Sequence, residues 1–156
     1  MHHSSFNIRQ AAPQDAPQIE TLYRLLVPGS PVSVLPERLA ALHASTEAYA
    51  LVGESDGLVL GTVFLCLCPD PMYGTQPFGV IENVVVLNSA RGSGIGSALL
   101  RHVEQLALQA DCSKLMVSSS AARVEAHRFF RRSGFSPGKV GFVKYRRAFG
   151  AAPAEA

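Results

Sequence analysis

This chain has few cysteines, little net charge and no long apolar run, and each shortage excludes a class of protein. Its three cysteines are too sparse for a disulfide scaffold and suit a reducing compartment. A formal net charge of +2 is too small to indicate a nucleic-acid partner. No apolar run reaches the ~18 residues of a membrane span, and the first residues lack the basic flank and apolar run of a signal peptide. We therefore expect a cytoplasmic protein with no nucleic-acid or membrane partner.

Metal ligands at recognisable spacing are also missing. Cys66 and Cys68 stand two apart on a predicted strand and share a face, but no second cysteine or histidine pair has the spacing of a metal site. Free cysteine is among the most buried residue types. The sequence therefore predicts that these cysteines are packing residues and that the protein binds no metal.

What the chain does have is the size and periodicity of one α/β domain. Its 156 residues are enough to bury a core, and no linker or internal repeat divides them. We predict a single domain over residues 1–156, with a core at about 6–149 and a flexible tail at 150–156. The predicted order is β-α-α-β-β-β-α-β-α-β, a mixed sheet with helices on both faces. The strands are expected at residues 6–10, 48–54, 58–68, 78–87, 114–118 and 140–149.

Local signals support several of these elements. Asp15, with Gln18 three residues on, predicts a capping box that opens the first helix. Asp56-Gly57 between two apolar runs predicts a hairpin. The nearly continuous apolar run at 78–87 favours a central strand that is covered on both faces. Apolar residues three and four apart predict a helix over 94–111, so that strand, helix and next strand form a right-handed parallel crossover.

Three alternate glycines, Gly92, Gly94 and Gly96, follow the central strand and open that helix. Backbone N–H groups at a helix start attract anions, so this loop predicts a site for a phosphate-bearing ligand. A P-loop is excluded because no lysine follows Gly96. A dinucleotide fingerprint fails as well, because Ser97 takes its sixth place and Asp111 precedes the next strand rather than ending it.

The pattern that remains is Arg91-Gly92-Ser93-Gly94-Ile95-Gly96 directly after a valine-rich strand. It resembles the acetyl-CoA signature of the GNAT superfamily of N-acetyltransferases. The stretch from Ala126 to Gly134-Phe135 is similar to the family's Ala-x-x-x-Tyr-x-x-x-Gly-Phe helix end. Segments 80–86, 112–115 and 125–129 look like its small-amine branch, which includes aminoalkylphosphonate and glucosamine-phosphate acetyltransferases.

The resemblance implies direct transfer of an acetyl group from acetyl-CoA, the cosubstrate, to a primary amine of a small molecule. Backbone groups of Val84, Val85 and Val86 would pair with the pantetheine arm as an added strand does. The neighbouring strands would splay to admit it. The resemblance assigns the pyrophosphate to the loop residues Arg91, Gly92, Ser93, Gly94, Ile95, Gly96 and Ser97. The side chain of Arg91 would either contact a phosphate or cap the turn.

Glu82 is the candidate catalytic base. An amine with a pKa near ~10.4 is less than roughly a thousandth neutral at pH 7, so a base that takes its proton helps it attack. Glu82 is an isolated carboxylate in an apolar strand, just upstream of the residues assigned to the cofactor. The alternative role is structural, either paired with a nearby arginine or exposed at a strand start.

One family feature is missing, and it leaves the function open. The tyrosine that protonates the departing thiolate is replaced by Phe130, and we find no other general acid. Two alternatives to a small-amine enzyme remain: an acetyltransferase for peptide or protein amines, and a non-catalytic domain that senses acyl-CoA. The sequence also leaves open which amine is the acceptor and whether a homodimer completes the pocket.

Overall fold

The computed structural model describes residues 5–151, so residues 152–156 of the predicted tail lie outside the described part. Up to Val117 the chain forms one compact unit, and from Ser118 onward it forms a second. The strands are β1 (Asn7–Gln10), β2 (Ala48–Ser55), β3 (Leu58–Cys68), β4 (Phe78–Val86) and β5 (Leu115–Val117). The helices are α1 (Ala16–Leu26), α2 (Pro36–His43), α3 (Ile95–Gln109) and α4 (Val124–Arg132).

The first unit is a five-stranded mixed sheet in the order β1-β2-β3-β4-β5. The first four strands are antiparallel neighbours, and β5 lies parallel to β4, as the predicted crossover through α3 requires. Helices α1 and α2 cover one face, where Ile19, Leu22 and Leu39 pack with Val52 and Val85. Helix α3 covers the other face. The predicted α/β fold with helices on both faces of a mixed sheet is confirmed.

The predicted strand at 140–149 is wrong. Those residues form no strand, and only the short 3-10 turn at Arg146–Ala148 is regular. β-branched and aromatic residues such as Val140, Phe142 and Val143 favour a strand, but a strand exists only where its backbone groups find a partner. The preference of this segment for a strand is weakened further by Pro137, Gly138 and Gly141, since glycine and proline are depleted in strands. The order along the described residues is therefore β-α-α-β-β-β-α-β-α.

The predicted capping box at the start of α1 is also wrong. The carboxylate of Asp15 accepts two hydrogen bonds from the Arg9 guanidinium, at 2.7 and 2.9 Å, and one from the backbone N–H of Ala12 at 2.7 Å. Gln18 instead reaches the hairpin between β2 and β3, where its carbonyl accepts from the N–H of Val59 at 2.8 Å. These two side chains therefore fasten the first helix to the sheet rather than cap it.

We expect Asp15→Asn to lower the free energy of unfolding by about 2–3 kcal/mol at pH 7, because it leaves the Arg9 charge without its buried partner. The hydrogen bonds from Arg9 hold the pKa of Asp15 below its ordinary 3.8. A carboxyl whose pKa is lower in the folded than in the unfolded chain stabilises the fold at pH values above its pKa in the unfolded chain. That stabilisation is lost as the pH falls through its pKa in the folded chain. The difference between variant and wild type, measured by urea unfolding, should therefore shrink below about pH 4.

The matched control is Glu125→Gln on α4, which removes the ion pair with Arg128. That pair is 2.6 Å long, but its side chains are 80% and 60% exposed. An exposed pair of this kind contributes between about 0 and 1 kcal/mol. If Asp15→Asn were no more destabilising than Glu125→Gln, the partly buried Arg9–Asp15 pair would not anchor the helix.

Candidate active site

The glycine loop has the backbone geometry of an open helix start. Gly92 and Gly94 have φ of +79° and +89°, a region that glycine adopts without strain, and a side chain at either position would meet open space. Gly94 is the N-cap of α3. The first helical hydrogen bond runs from the N–H of Ala98 to the carbonyl of Gly94, at 3.0 Å. The N–H groups of Ile95, Gly96 and Ser97 therefore have no acceptor within the helix and can bind an anion.

Packing fixes this helix start against the sheet. Ile95, the first residue of α3, is 1% exposed. Its side chain lies over Gly53 of β2, so closely that a Cβ at position 53 would stand 2.7 Å from Ile95 Cγ1 and Cδ1. Before the helix, the hydroxyl of Ser93 donates to the carbonyl of Ala90 at 2.6 Å, which closes the turn. The loop is thus held rigidly although Arg91, Gly92, Ser93 and Gly94 are exposed.

Beside the loop, one edge of β4 is open. The parallel pairing with β5 covers three residues of β4 and ends where Ile81 stands opposite Val117. β4 continues to Val86, and among residues 5–151 no strand pairs with 84–86 on that edge. The edge therefore offers backbone donors and acceptors to an extended ligand, and Val84, Val85 and Val86 lie on it.

A β-bulge in β4 was not predicted. Thr62 pairs with Val85 and Phe64 with Glu82, so two residues of β4, Asn83 and Val84, stand opposite the single residue between them on β3. Asn83 adopts the left-handed conformation, with φ of +56°. A bulge bends its strand and redirects nearby backbone groups. The available signal was an asparagine within an apolar strand, since asparagine is depleted in strands but tolerates positive φ.

Glu82 lies directly before this bulge. It is half-buried, as a candidate base in an apolar strand should be. Glu82 pairs with Phe64 of β3, which lies two residues from Thr62. Thr62 stands opposite Val85, which packs in the apolar cluster that α1 and α2 form on the sheet. Residues two apart on a strand share a face, so Glu82 lies on the face that α1 and α2 cover. Glu82 therefore lies on the α1–α2 face of β4, two residues before Val84.

In the second unit, Phe130 takes the place of the family's tyrosine. It is 7% exposed, and its ring centre lies 5.5 Å from that of Phe129 and 6.1 Å from that of Phe135. Gly134 follows α4 with φ of +91°, the left-handed conformation in which glycine commonly ends a helix. Phe130 is a packing residue with no acidic hydrogen to donate.

Cys66, Cys68 and Cys112 carry free thiols and are half-buried. Burial raises the pKa of the Cys68 and Cys112 thiols, which keeps them protonated near neutral pH. Within residues 5–151, no group of three or more histidine, cysteine, aspartate or glutamate side chains is placed to hold a metal ion. No helix in that range is long and apolar enough to cross a membrane.

These features define an α/β protein in which an open strand edge is followed along the chain by a helix start whose first N–H groups have no acceptor within the helix. Residues 19–135 match the acetyltransferase (GNAT) family, and the chain belongs to that family. It is 34% identical over 136 residues to an aminoglycoside N(6′)-acetyltransferase type 1 from Stenotrophomonas maltophilia, covering 85% of this chain and 87% of that protein. The predicted family resemblance is thereby confirmed.

Two further similarities concern a shorter segment and the fold. Over 66 residues the chain is 39% identical to an aminoalkylphosphonate N-acetyltransferase from Salmonella typhimurium, which covers 42% of this chain and 43% of that protein. A solved structure of an aminoglycoside N-acetyltransferase in complex with CoA has the same fold, with a TM-score of 0.77 and 20% identity. That comparison covers 92% of this chain and 96% of the other.

Proposed function

We propose that this protein transfers the acetyl group of acetyl-CoA to a primary amine of a small molecule. The observation that carries the proposal is the open edge of β4 at residues 84–86, which the glycine loop at the start of α3 follows along the chain. The pantetheine arm of CoA is an extended chain that ends in a pyrophosphate, so it matches a strand edge that is followed by a helix start. The two curated relatives are both named as acetyltransferases for small amines, an aminoglycoside and an aminoalkylphosphonate.

In this proposal backbone groups hold the cosubstrate. The pantetheine arm pairs with Val84, Val85 and Val86, and the pyrophosphate binds the N–H groups that open α3, aided by the helix dipole. The side chain of Arg91 is exposed beside that loop and can reach a phosphate oxygen. The hydroxyl and the backbone N–H of Ser93 both already donate to the Ala90 carbonyl, so Ser93 would shape the loop around the pyrophosphate rather than donate to it.

The acetyl transfer needs a base but not a strong acid. The amine nitrogen attacks the thioester carbon, the new C–N bond forms, and the C–S bond breaks. Glu82 takes the proton of the amine, directly or through a water molecule. A thiol with a pKa near ~8.5 is a tolerable leaving group, so the thiolate can take its proton from water. This route accommodates Phe130 in place of the tyrosine.

We further propose a single acetyltransferase domain in the cytoplasm. The family match at 19–135 spans both compact units, which supports one domain over 1–156. The three free thiols suit a reducing compartment. We propose no nucleic-acid or membrane partner and no metal. A homodimer is part of the proposal, because Val140, Phe142 and Val143 are 81, 93 and 75% exposed, as on a surface that a partner covers.

The test is release of the CoA thiol in the presence of acetyl-CoA and a panel of amines. The panel contains an aminoglycoside with a free 6′-amine, an aminoalkylphosphonate, a hexosamine phosphate, and peptides with free amino termini or lysines. We expect turnover on at least one of the small amines and none on the peptides. Turnover confined to the peptides would assign the protein-amine alternative instead.

A second function, an acyl-CoA sensor, is favoured by one observation, the packing residue Phe130 at the position of the usual proton donor. The same experiment separates it from the enzyme. Tight binding of acetyl-CoA, measured by calorimetry, with no thiol release on any amine would identify a sensor.

A further inference from the structure

One face of the sheet is fully covered along only part of its length. On the face that α1 and α2 cover, Ala50 and Val52 of β2 are buried, and so is Thr62, which stands opposite Val52 on β3. Towards the end of β3 and the start of β4, the residues that continue this face are only half-buried. On the opposite face at the same level, Leu65 and Ile81 are fully buried. Burial by α1 and α2 is therefore incomplete at this end of the sheet.

The half-buried residues form one continuous surface. Residues directly opposite each other on neighbouring strands point to the same face of a sheet. Phe64 stands opposite both Ala50 and Glu82. Val80 stands between Cys66 of β3 and Met116 of β5. We call this surface the sheet patch, and its apolar members are Phe64, Cys66, Cys68, Phe78, Val80 and Met116.

The sheet patch carries opposite charges at its two ends. Glu82 lies at one end, opposite Phe64. At the other end, the ammonium of Lys114 lies 5.1 Å from the centre of the Phe78 ring, within the range of a cation–π contact. The backbone fixes the position of Lys114, because its carbonyl accepts from the N–H of Gly79 at 2.9 Å. From Phe78 to Glu82 along β4 is roughly 13 Å of extended strand.

The surface between the two charges is apolar. Cys66 and Val80 carry small side chains and stand side by side in the middle of the sheet patch. A neutral molecular body that covers them removes apolar area from water, which is favourable. A ligand whose ammonium lies at Glu82 and whose body covers Val80 reaches Lys114 with its far end. An anionic group at that end pairs with the lysine, whereas a second cation would be repelled by it.

We propose that the acceptor is a small amine that also carries an anionic group, and that Lys114 is the residue that recognises this group. The inference rests on the proposed function, since it takes Glu82 as the residue at which the amine reacts. The anionic group is a phosphate, a phosphonate or a carboxylate. The reach of the lysine side chain shortens the span, so the amine and the anionic group of the acceptor stand on the order of 10 Å apart.

The test compares amines in matched pairs that differ only in the anionic group. One pair is a hexosamine phosphate and its hexosamine, and the others are ω-aminoalkyl phosphates of increasing length with the corresponding amino alcohols. We expect kcat/KM of the wild type to be about 10-fold or more higher for the hexosamine phosphate, as for a hydrogen bond to a charged group. Among the aminoalkyl phosphates, the preference should appear only where the chain spans the sheet patch. Equal or higher kcat/KM for the neutral members would overturn the proposal.

Lys114→Met assigns the preference to this residue, because methionine keeps a long apolar side chain over Phe78 and removes the charge. We expect KM for the phosphorylated amines to rise by about 10-fold and KM for the neutral amines to stay unchanged. Lys114→Arg should keep most of the preference. The matched control is Arg101→Met on the exposed surface of α3, which should change neither KM. A preference for phosphate that survived in Lys114→Met would overturn the proposal.

Val80→Phe tests whether the body of the acceptor covers the middle of the sheet patch. The larger ring occupies that space, so KM should rise by about 10-fold or more for phosphorylated and neutral amines alike. The Kd for CoA should not change, which also shows that the variant is folded. Unchanged KM for every amine would overturn the proposal.

Calorimetry separates a failure of this inference from a failure of the proposed function. In the presence of CoA, the hexosamine phosphate should bind the wild type about 10-fold or more tightly than the hexosamine, and Lys114→Met should remove the difference. If no amine were acetylated, the proposed function would fail while this comparison still decided the role of Lys114. Equal affinity of the wild type for the two sugars would overturn the inference.

Discussion

Glu82→Gln is expected to lower kcat by about 100-fold or more at pH 7, the usual range for loss of a general base. The change keeps the shape of the side chain and removes its ability to take a proton. The effect should be largest near neutral pH, where less than roughly a thousandth of an ordinary primary amine is deprotonated. At higher pH more of the amine is already free, and the difference between variant and wild type should narrow. Steady-state rates of CoA release from pH 6 to 9 measure it.

The matched control is Glu104→Gln, which makes the same change on the exposed surface of α3. We expect its kcat and KM to equal those of wild type. The Kd of Glu82→Gln for CoA should also be unchanged, because the glycine loop lies elsewhere on the chain. If kcat/KM of Glu82→Gln equalled that of wild type across pH 6–9, Glu82 would be a structural residue.

Gly94→Val is expected to raise the Kd for CoA by about 10-fold or more. Gly94 has φ of +89° with nothing within 4 Å, so the side chain has room but the backbone does not tolerate it. A β-branched residue at positive φ costs about 1–3 kcal/mol. The backbone at the N-cap relieves that strain by leaving the positive-φ conformation. The N–H groups that open α3 then no longer converge on one anion. Calorimetric titration with CoA measures the change.

Gly57→Val provides the control for strain alone. Gly57 lies in the β2–β3 hairpin with φ of +78°, and it too has nothing within 4 Å. Both variants should lose a similar amount of thermal stability, but only Gly94→Val should bind CoA more weakly. Equal Kd values for the two variants would mean that the glycine loop does not bind the cosubstrate.

The elements that depend on neighbouring residues were predictable from the sequence. The spacing of Ile95, Leu99 and Val103 predicted α3, and all three are buried. Asp56 and Gly57 predicted the hairpin, and both have the positive φ that such a turn requires. The glycine loop belongs to this group, because its geometry is set within a few residues of Gly94.

The elements that depend on residues distant in the sequence were not predictable from it. Asp15 pairs with Arg9, which also bonds Glu54 from β2, so no local pattern distinguishes this network from a helix cap. The bulge at Asn83 arises from the register between β3 and β4, which neither strand encodes alone. The β-branched and aromatic residues at 140–149 favour an extended backbone, but they form no strand. The open edge of β4 likewise depends on where β5 ends.

The measurement that tests the account most directly is a single-turnover reaction of the protein with acetyl-labelled acetyl-CoA and the best amine from the panel. Mass spectrometry follows the label in the amine, in CoA and in the protein. Direct transfer predicts that the acetylated amine and free CoA appear together, in equal amounts, with no label on the protein and at a rate that Glu82→Gln lowers by about 100-fold. Labelled acetyl-CoA that stays bound and intact while the amine remains unmodified would contradict the account and leave an acyl-CoA-binding domain.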